Sequence, residues 1–302
     1  MKRLAILFAL ITMLLVITSS GFAAGTREDG DFSYDGINEL DISGDTFDVR
    51  IQGTRSRTTS LEIRNYPDNY TVYHTRSGDS LRVWVEREFS LFSRPHRGEL
   101  ILMVPGNVQL LVDNSTGDID VRNVSGDTMD LETSTGDILV ADSASSFRVD
   151  SATGEVQVTD CAGEIDIHTS TGDIYLERFT GDVHATSSTG GQEYREIEGD
   201  LYSHSTTGDI EIDRLRGALN ISSSTGSQTG RGVELTADSV FETSTGDIDI
   251  DLVQPVEELE FDLRSTTGSL RVGREESQRR LFLGGRGFHV EGKSSTGSQY
   301  FY

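Results

Sequence analysis

The chain has 302 residues, of which 35% are hydrophobic, and it contains 32 glycines but only four prolines and one cysteine. This composition excludes a collagen-like protein, a disulfide scaffold and a polytopic membrane protein. The formal net charge of −24 makes nucleic acid and anionic lipid surfaces unfavourable partners, because like charges repel.

The first 24 residues have the pattern of a secretory signal peptide. Lys2 and Arg3 supply positive charge, residues 4–17 form an apolar run, and small residues surround a cleavage zone at 23–25. We therefore expect an exported protein, located in the periplasm or at the cell surface. An uncleaved leader would be its only membrane attachment, and this alternative is less favoured because the apolar run is short for a spanning helix.

Residues 25–110 alternate apolar and polar positions without a fixed period, for example at 40–42 and 47–51. Alternation of this kind predicts β-strands. We interpret the region as the starting coils and cap of the structure that follows, with longer loops at 55–58 and 94–97. A separately folded small domain is the alternative.

Residues 111–302 repeat a four-residue turn motif, in which Ser, Thr or Ala is followed by Thr, Gly and then Asp, Glu, Ser or Gly. The glycines of the ten copies are separated by 19 residues, then five times by 18, and finally by 20, 22 and 29. A repeat near this length predicts a solenoid, with longer coils at the C-terminal end. The turn glycines are Gly117, Gly136, Gly154, Gly172, Gly190, Gly208, Gly226, Gly246, Gly268 and Gly297.

A second glycine follows several of these motifs by nine residues, so that a shorter unit is used twice per coil. Apolar and polar residues alternate on both sides of each turn, as at 165–169 and 174–176, which predicts strands with one inward face. We therefore predict an all-β fold, a two-sided parallel β-solenoid with about 18 residues and two strands per coil. The half-turn glycines are Gly126, Gly163, Gly181, Gly199 and Gly217.

Stacking of the coils in register would place equivalent residues directly above one another. Each turn threonine is then expected to pair with the next along the axis, and its hydroxyl or that of its neighbour can close a local hydrogen bond. Each turn glycine supplies a backbone conformation that other residues avoid. The predicted turn ladder comprises Thr116, Gly117, Thr135, Gly136, Thr153, Gly154, Thr171, Gly172, Thr189, Gly190, Thr207, Gly208, Thr225, Gly226, Thr245 and Gly246, and the threonine column continues through Thr267 and Thr296.

A second column, at the half-turn, contains only apolar residues: Cys161, Phe179, Ile197, Leu215 and Val233. We interpret Cys161 as a small buried hydrophobe rather than a nucleophile or a metal ligand. Because it is the only cysteine, no intrachain disulfide can form.

Acidic residues follow the turn glycine in several coils and suggest calcium, with Asp118, Asp137 and Asp173 as candidate ligands. Calcium-binding rolls use the spacing Gly-Gly-x-Gly-x-Asp, which this chain lacks, so a calcium-dependent surface module is kept only as an alternative. His168 and His204 share a column but lie two coils apart, roughly 9.6 Å, which is too far for a shared zinc ion. We therefore predict no cofactor.

Two insertions near the C-terminal end carry neighbouring acids, Glu257 and Glu258 in one and Glu275 and Glu276 in the other. Insertions that interrupt a repeat often carry recognition or catalysis. They leave open a second hypothesis, in which the chain is a carbohydrate-active β-helix enzyme with a carboxylate pair at one of these insertions.

The last residues, 300–302, form an aromatic strand directly after the final turn motif. An open apolar strand edge can pair with another chain. We expect this strand either to pack beneath the long insertion or to support self-association through its edge, and the first interpretation is preferred.

The Ser-Thr-Gly-Asp-Ile repeats, the segment 40–49 and the strand that ends at Val104-Pro105 resemble the bacterial putative-adhesin family of β-strand-repeat proteins. The resemblance covers residues 32–302, and it implies a repetitive β fold without catalytic residues to transfer. With the leader, it leads us to expect an exported, non-enzymatic solenoid with a structural or adhesive role at the cell envelope. Its expected partner is an envelope polymer or protein.

Overall fold

The computed structural model describes residues 24–26, 30–66, 69–88 and 98–302. Residues 1–23 of the predicted signal peptide and the predicted loop at 94–97 lie outside the described residues. Within the described ranges the chain forms 30 β-strands and one short 3₁₀ helix, and no helix there is long and apolar enough to cross a membrane. The predicted all-β class is therefore confirmed.

Eight strands precede the regular repeats and six follow them. The first group is β1 (Ala24–Thr26), β2 (Gly30–Asp35), β3 (Glu39–Asp45), β4 (Asp48–Thr54), β5 (Thr58–Arg64), β6 (Tyr70–Ser77), β7 (Ser80–Arg87) and β8 (Glu99–Pro105). The last group is β25 (Glu260–Thr267), β26 (Leu270–Val272), β27 (Glu275–Ser277), β28 (Arg280–Leu283), β29 (His289–Thr296) and β30 (Gln299–Phe301), preceded by the 3₁₀ helix Val256–Glu258.

The regular repeats between these groups contribute two strands per coil. They are β9 (Gln109–Asn114), β10 (Ile119–Arg122), β11 (Thr128–Thr133), β12 (Ile138–Ala141), β13 (Ser146–Thr153), β14 (Val156–Ala162), β15 (Ile165–Thr171), β16 (Ile174–Thr180), β17 (Val183–Thr189), β18 (Gln192–Glu198), β19 (Leu201–Thr207), β20 (Ile210–Gly217), β21 (Leu219–Thr225), β22 (Gln228–Leu235), β23 (Ser239–Thr245) and β24 (Ile248–Leu252).

The strands form two 15-stranded sheets. Sheet A contains β1, β3, β6, β7, β28, β29 and the odd-numbered strands from β9 to β25, and sheet B contains the others. One strand of each sheet makes a coil, and successive coils pair in parallel, so that Ile165 is opposite Val183 and Ile174 is opposite Gln192. The predicted two-sided parallel β-solenoid is therefore confirmed, with a step of 18 residues in its regular part.

The core lies between the inner faces of the two sheets. In one coil Ile165 and Ile167 of sheet A, together with Ile174 and Leu176 of sheet B, are at most 1% exposed. These residues are the apolar members of the alternating pattern, and burying each contributes about 1.5–3 kcal/mol. The polar residues between them point to solvent, which gives each sheet one outer face.

The turn glycines stack along a common axis, and the coils approach closely there. A Cβ atom on Gly190 would lie 2.1 Å from the carbonyl oxygen of Gly172, and one on Gly172 would lie 1.8 Å from that of Gly154. Gly190 also has a φ of +137°, a conformation that residues with a side chain rarely adopt. The repeated glycine is therefore required both for space and for backbone conformation.

In each coil from β10 to β22, one residue interrupts the alternation of the sheet B strand before the half-turn. Val158 and Cys161 both point inward, and the intervening Asp160 has a left-handed φ of +55°. This extra residue turns the Cys161 side chain into the core, opposite Phe179 of the next coil. The equivalent left-handed residues in neighbouring coils are Asp142, Arg178, Glu196 and Arg214.

The C-terminal coils are not stacked in chain order. The coil of β29 and β30 lies between the coil of β23 and β24 and that of β25 and β26, and it pairs in parallel with both. Phe301 of the aromatic terminal strand lies between Ile250 and Val272, which agrees with the preferred expectation of packing with the C-terminal insertion and leaves no open edge on this strand for self-association. The connections after β24 and β26 are long enough for the chain to skip one position and return to fill it.

The N-terminal end shows a similar exchange. The coil of β3 and β4 lies between that of β7 and β8 and that of β9 and β10. Beyond it, β6 and β5 pair antiparallel with β7 and β8. The strands before residue 110 thus continue the same two sheets as the repeats, and β27 and β28 add antiparallel strands at the opposite end.

Candidate binding face

The outer face of sheet A carries two columns of side chains that recur once per coil. Because neighbouring strands lie about 4.8 Å apart, equivalent groups repeat at that spacing along the solenoid axis. The first column runs through Asp166, His184 and Tyr202, and the second through His168, Thr186 and His204.

An elongated trough of about 530 Å³ lies beside the second column. It crosses five coils, from β11 to β19, which is four strand spacings or roughly 19 Å. Its walls are the outward residue near the end of each sheet A strand and the residue that opens each turn motif. The trough is lined on one side by Glu132, Asp150, His168, Thr186 and His204, and on the other by Ser134, Ala152, Ser170, Ser188 and Thr206.

Buried hydroxyls near the ends of the sheet A strands support the turns, and within the trough such residues form the floor between the two walls. The Thr169 hydroxyl donates to the carbonyl oxygen of Gly172 at 3.4 Å, and that of Ser223 donates to Gly226 at 3.1 Å. The hydroxyl that closes these turns therefore belongs to the residue three before the glycine, which points inward, and not to the threonine of the motif.

A carboxylate and two imidazoles meet at the centre of the face. The Oδ1 atom of Asp166 lies 3.3 Å from Nδ1 of His168 and 3.1 Å from Nδ1 of His184. The His184 ring lies 4.5 Å from the ring of Tyr202, measured between centroids, and Tyr202 is 40% exposed. His168 of this cluster belongs to the trough wall, whereas Asp166, His184 and Tyr202 lie behind that wall and line a neighbouring hollow.

His204 is held by the next coil. Its Nδ1 atom lies 2.8 Å from the hydroxyl oxygen of Ser222, whereas its Nε2 atom has no hydrogen-bond partner among the described residues. The neighbouring hydroxyl of Thr186 is 3.5 Å from the carbonyl oxygen of Ile167. One imidazole nitrogen of the trough wall is thereby available to a ligand.

The turn threonines lie next to this face with exposed side chains. Successive threonines from Thr153 to Thr245 are opposite one another in register, and Gly117 and Gly136 extend the glycine stack toward the N-terminal end. At the other end Thr296 follows Thr245, and Thr267 lies beyond Thr296. The spatial order of the last two threonines is thus the reverse of their chain order.

The acidic residues after the turn glycines accept backbone hydrogen bonds between coils. The Oδ1 atom of Asp118 accepts the N–H of Asp137 at 3.0 Å, that of Asp137 accepts the N–H of Glu155 at 2.8 Å, and that of Asp173 accepts the N–H of Gly191 at 2.7 Å. In the described ranges, no group of three or more His, Cys, Asp or Glu side chains is arranged to hold a metal ion. These three aspartates therefore have a structural role that the sequence analysis missed.

Cys161 lies at the half-turn corner and is 4% exposed. Its Sγ atom is 3.2 Å from the carbonyl oxygen of Thr159. Burial raises the pKa of the thiol to about 11, despite hydrogen bonds that favour the thiolate. The thiol is therefore protonated at neutral pH, which disfavours a role as a nucleophile or metal ligand.

The insertion carboxylates lie apart from the trough. Glu257 and Glu258 are in the 3₁₀ helix, whereas Glu275 and Glu276 are on β27, and all four side chains are exposed. The Oε1 atom of Glu276 is 3.9 Å from Nη1 of Arg271. None of the four lines the trough.

The diagonal contact between His168 and His184 through Asp166 was not predicted. The sequence prediction considered only His204, which lies two coils from His168 in the same column, and not His184 in the neighbouring column. The 18-residue period does indicate that Asp166, His184 and Tyr202 share that column. Their contact with His168 depends on side-chain direction, which the period does not define.

Comparison with known proteins identifies one family and several solved structures. The family model described as Toastrack DUF4097 matches residues 37–289, which include every strand from β3 to β28 and the whole trough. A putative adhesin from Bacteroides fragilis NCTC 9343 is 12% identical, with a TM-score of 0.36, and the alignment covers 91% of this chain and 97% of that one. A putative cell adhesion protein from Clostridium sporogenes ATCC 15579 is 8% identical, with a TM-score of 0.24, and the alignment covers 91% of this chain and 99% of that one. No curated protein matches the chain.

Proposed function

Because the chain belongs to the Toastrack DUF4097 family and its repeats form a continuous solenoid, we propose that it is an exported, non-enzymatic binding protein of the bacterial cell envelope. Its structural or adhesive role would be carried by the outer face of sheet A. Export is supported by the leader pattern of residues 1–24. Envelope polymers or proteins are the partners that this location would offer.

The observation that carries the proposal is the trough on sheet A. Its hydroxyls, carboxylates and imidazoles are presented by strands that pair on both sides, so the surface is rigid and its spacing is set by the sheet. Solenoids commonly use extended surfaces of this kind for binding. A repeated and open surface suits attachment to a long partner better than enclosure of a small substrate.

The polar groups of the face do not form a catalytic set. His204 and Ser222 lie at the distance of a base and its nucleophile, but such a pair also needs a group that orients the base. In the part of the chain that the structure describes, no carboxylate bonds the other ring nitrogen of His204. The exposed acids of the two insertions are likewise separate from the trough.

Sedimentation tests the proposal directly. Purified protein beginning at residue 25 should sediment with isolated bacterial envelope fragments, and it should release neither reducing sugar ends nor soluble fragments from them. A Tyr202→Ala variant, altered at the exposed ring of the face, should sediment less. Protein that stays in the supernatant, or that releases glycan fragments, would contradict the proposal.

A further inference from the structure

We infer that the trough binds an extended, uncharged glycan that lies along the solenoid axis. This inference rests on the proposed function and specifies the ligand of the same face. It follows from the shape of the trough, the spacing of its polar groups and its charge, together with the aromatic and imidazole rings beside it.

The shape selects a linear ligand. The trough crosses five coils along the axis, roughly 19 Å, whereas its width is the separation of outward side chains two residues apart on one strand. Such side chains flank the backbone of Thr169 in the middle coil, with His168 on one side and Ser170 on the other. A chain of several sugar rings fills such a trough, whereas a single small molecule would occupy only one of its coils.

The spacing of the polar groups distinguishes a glycan from a peptide. Each wall offers one side chain per coil, about 4.8 Å apart, which is close to the length of one sugar residue. An extended peptide repeats on one side at roughly 6.6 Å, and peptides add to sheet edges through their backbones. The strands beneath the trough have no free edge, because each pairs with a strand on both sides.

Charge excludes polyanions from the trough. Glu132 and Asp150 contribute carboxylates to one wall, and Asp166 lies beside it, whereas no Lys or Arg is among the lining residues. Arg148 is nearby, but its Nε atom is 3.0 Å from Oδ2 of Asp150, so these two charges largely offset each other. The repulsion therefore comes mainly from Glu132, Asp166 and the net charge of the chain. Phosphate-rich or uronic acid polymers would meet repulsion, whereas the hydroxyls of an uncharged glycan can donate to these carboxylates.

Ring faces behind the wall formed by His168 and Thr186 extend the recognition surface beyond the trough. The rings of His184 and Tyr202 lie against each other, and His168 approaches His184 with centroids 6.0 Å apart. Ala152 adds an apolar point to the opposite wall. Binding sites commonly combine such apolar faces, which here can contact the C–H face of a sugar ring, with a few polar groups that fix orientation.

Calorimetric titration tests the inference with oligosaccharides of equal length. Cello-oligosaccharide or N-acetylated chito-oligosaccharide should bind, whereas alginate oligosaccharide, which carries a carboxylate on each sugar, should not. Ser170→Ile places a branched apolar side chain in the trough and should weaken binding by at least about tenfold. Ser244→Ile is the matched control, because it changes the same position of an identical Ser-Thr-Gly-Asp motif outside the trough and should leave affinity unchanged.

Thermal unfolding of both variants shows whether they remain folded. Should Ser170→Ile unfold, Thr186→Val removes a trough hydroxyl without changing the shape of the side chain and should also weaken binding. The inference is overturned if neither uncharged oligosaccharide binds, if alginate binds as well as they do, or if the two serine variants behave alike. If the protein sediments with envelope fragments but binds no oligosaccharide, the glycan is not the ligand and the proposed function stands. If the protein does not sediment with the envelope, the proposed function itself is contradicted.

Discussion

At the scale of single residues, the tightest constraint lies where the backbone of one coil touches the next. Gly190 and Gly191 are neighbours in one turn but differ in their surroundings. A Cβ atom on Gly190 would lie 2.1 Å from the carbonyl oxygen of Gly172, whereas one on Gly191 would have its nearest neighbour at 3.7 Å. Only Gly190 has a positive φ.

We therefore expect Gly190→Ala to lower the free energy of unfolding by about 2–4 kcal/mol, because it combines a steric clash with backbone strain. Gly191→Ala is the matched control and should be neutral or slightly stabilising, since alanine restricts the unfolded chain. Denaturant unfolding followed by circular dichroism measures both. Equal effects of the two substitutions would show that the coils can separate at the turn without cost.

The buried thiol of Cys161 makes the free energy of unfolding depend on pH in the alkaline range. Burial raises the pKa of its thiol from 9.0 to about 11, so the folded state favours the protonated form. The corresponding stability is fully present below pH 9.0 and is lost as the pH rises through about 11. We expect Cys161→Ala, which cannot titrate, to lose less stability than the unmodified protein over this range.

Chemical labelling provides a second measurement of the same thiol. At neutral pH the folded protein should react with a thiol reagent far more slowly than the urea-unfolded protein, because the thiolate is the reactive form. Equal rates of reaction would contradict the burial of Cys161.

At the scale of elements, buried glutamines connect the two sheets. Gln192, Gln228 and Gln299 occupy inward positions at the start of sheet B strands and are at most 1% exposed. The Nε2 atom of Gln228 is 3.3 Å from the Ser223 hydroxyl oxygen and 2.6 Å from the carbonyl oxygen of Glu242 in the next coil. Gln192 and Gln299 make the equivalent pair of bonds.

Replacement of one glutamine tests how much this connection contributes. We expect Gln228→Leu to lower the free energy of unfolding by about 1–3 kcal/mol, because buried acceptors lose their donor. Ile210→Leu, at the paired position of the preceding coil, conserves volume and should cost less than about 1.5 kcal/mol. Greater stability of Gln228→Leu, measured by thermal unfolding, would mean that apolar burial outweighs the connection.

These elements show which local features follow from the sequence. The alternating pattern was sufficient to identify the inward apolar residues, because a strand has a period of two. The buried glutamines were missed, although the sequence carries a signal for them. In each of these three coils the residue after the turn glycine is Gly191, Ser227 or Ser298 and not an acid, and the glutamine comes next. The left-handed residues of sheet B were missed because only some of them, such as Asn123 and Asp142, are types that favour this conformation, whereas Arg178, Glu196 and Arg214 are not.

At the scale of the whole molecule, the repeat predicted the coil but not the order of the coils. The steps of 18 residues between Gly136 and Gly226 required stacking in register, since each coil has the same length. The order at the ends depends on which sheet position a long connection reaches, and the connections after β24 and β26 carry no period. Side-chain direction across neighbouring columns likewise determines the Asp166 cluster and cannot be read from spacing alone.

The inserted C-terminal coil leads to a prediction about truncation. A variant ending at residue 287 lacks β29 and β30, so the coil of β25 and β26 loses the partners that join it to the rest. A variant ending at residue 253 lacks both coils and ends after β24. We expect the longer variant to be the more sensitive to protease, because its residues 254–287 remain attached but lack the strands β29 and β30 that join them to the two sheets.

Limited proteolysis with mass spectrometry measures this difference. Cleavage should fall first within residues 254–287 in the longer variant, whereas the shorter variant should keep its regular coils intact. Protection of that segment in the longer variant would show that β25 and β26 can pair directly with β23 and β24.

The exchange of coil order also affects how the solenoid would respond to mechanical load. β29 and β30 are each bound by a neighbour on both sides, so force that enters through β30 must break two ladders of hydrogen bonds together. A last coil stacked in simple succession would peel away from one neighbour alone. In the adhesive role proposed above, this arrangement would make the end of the stack resistant to unzipping.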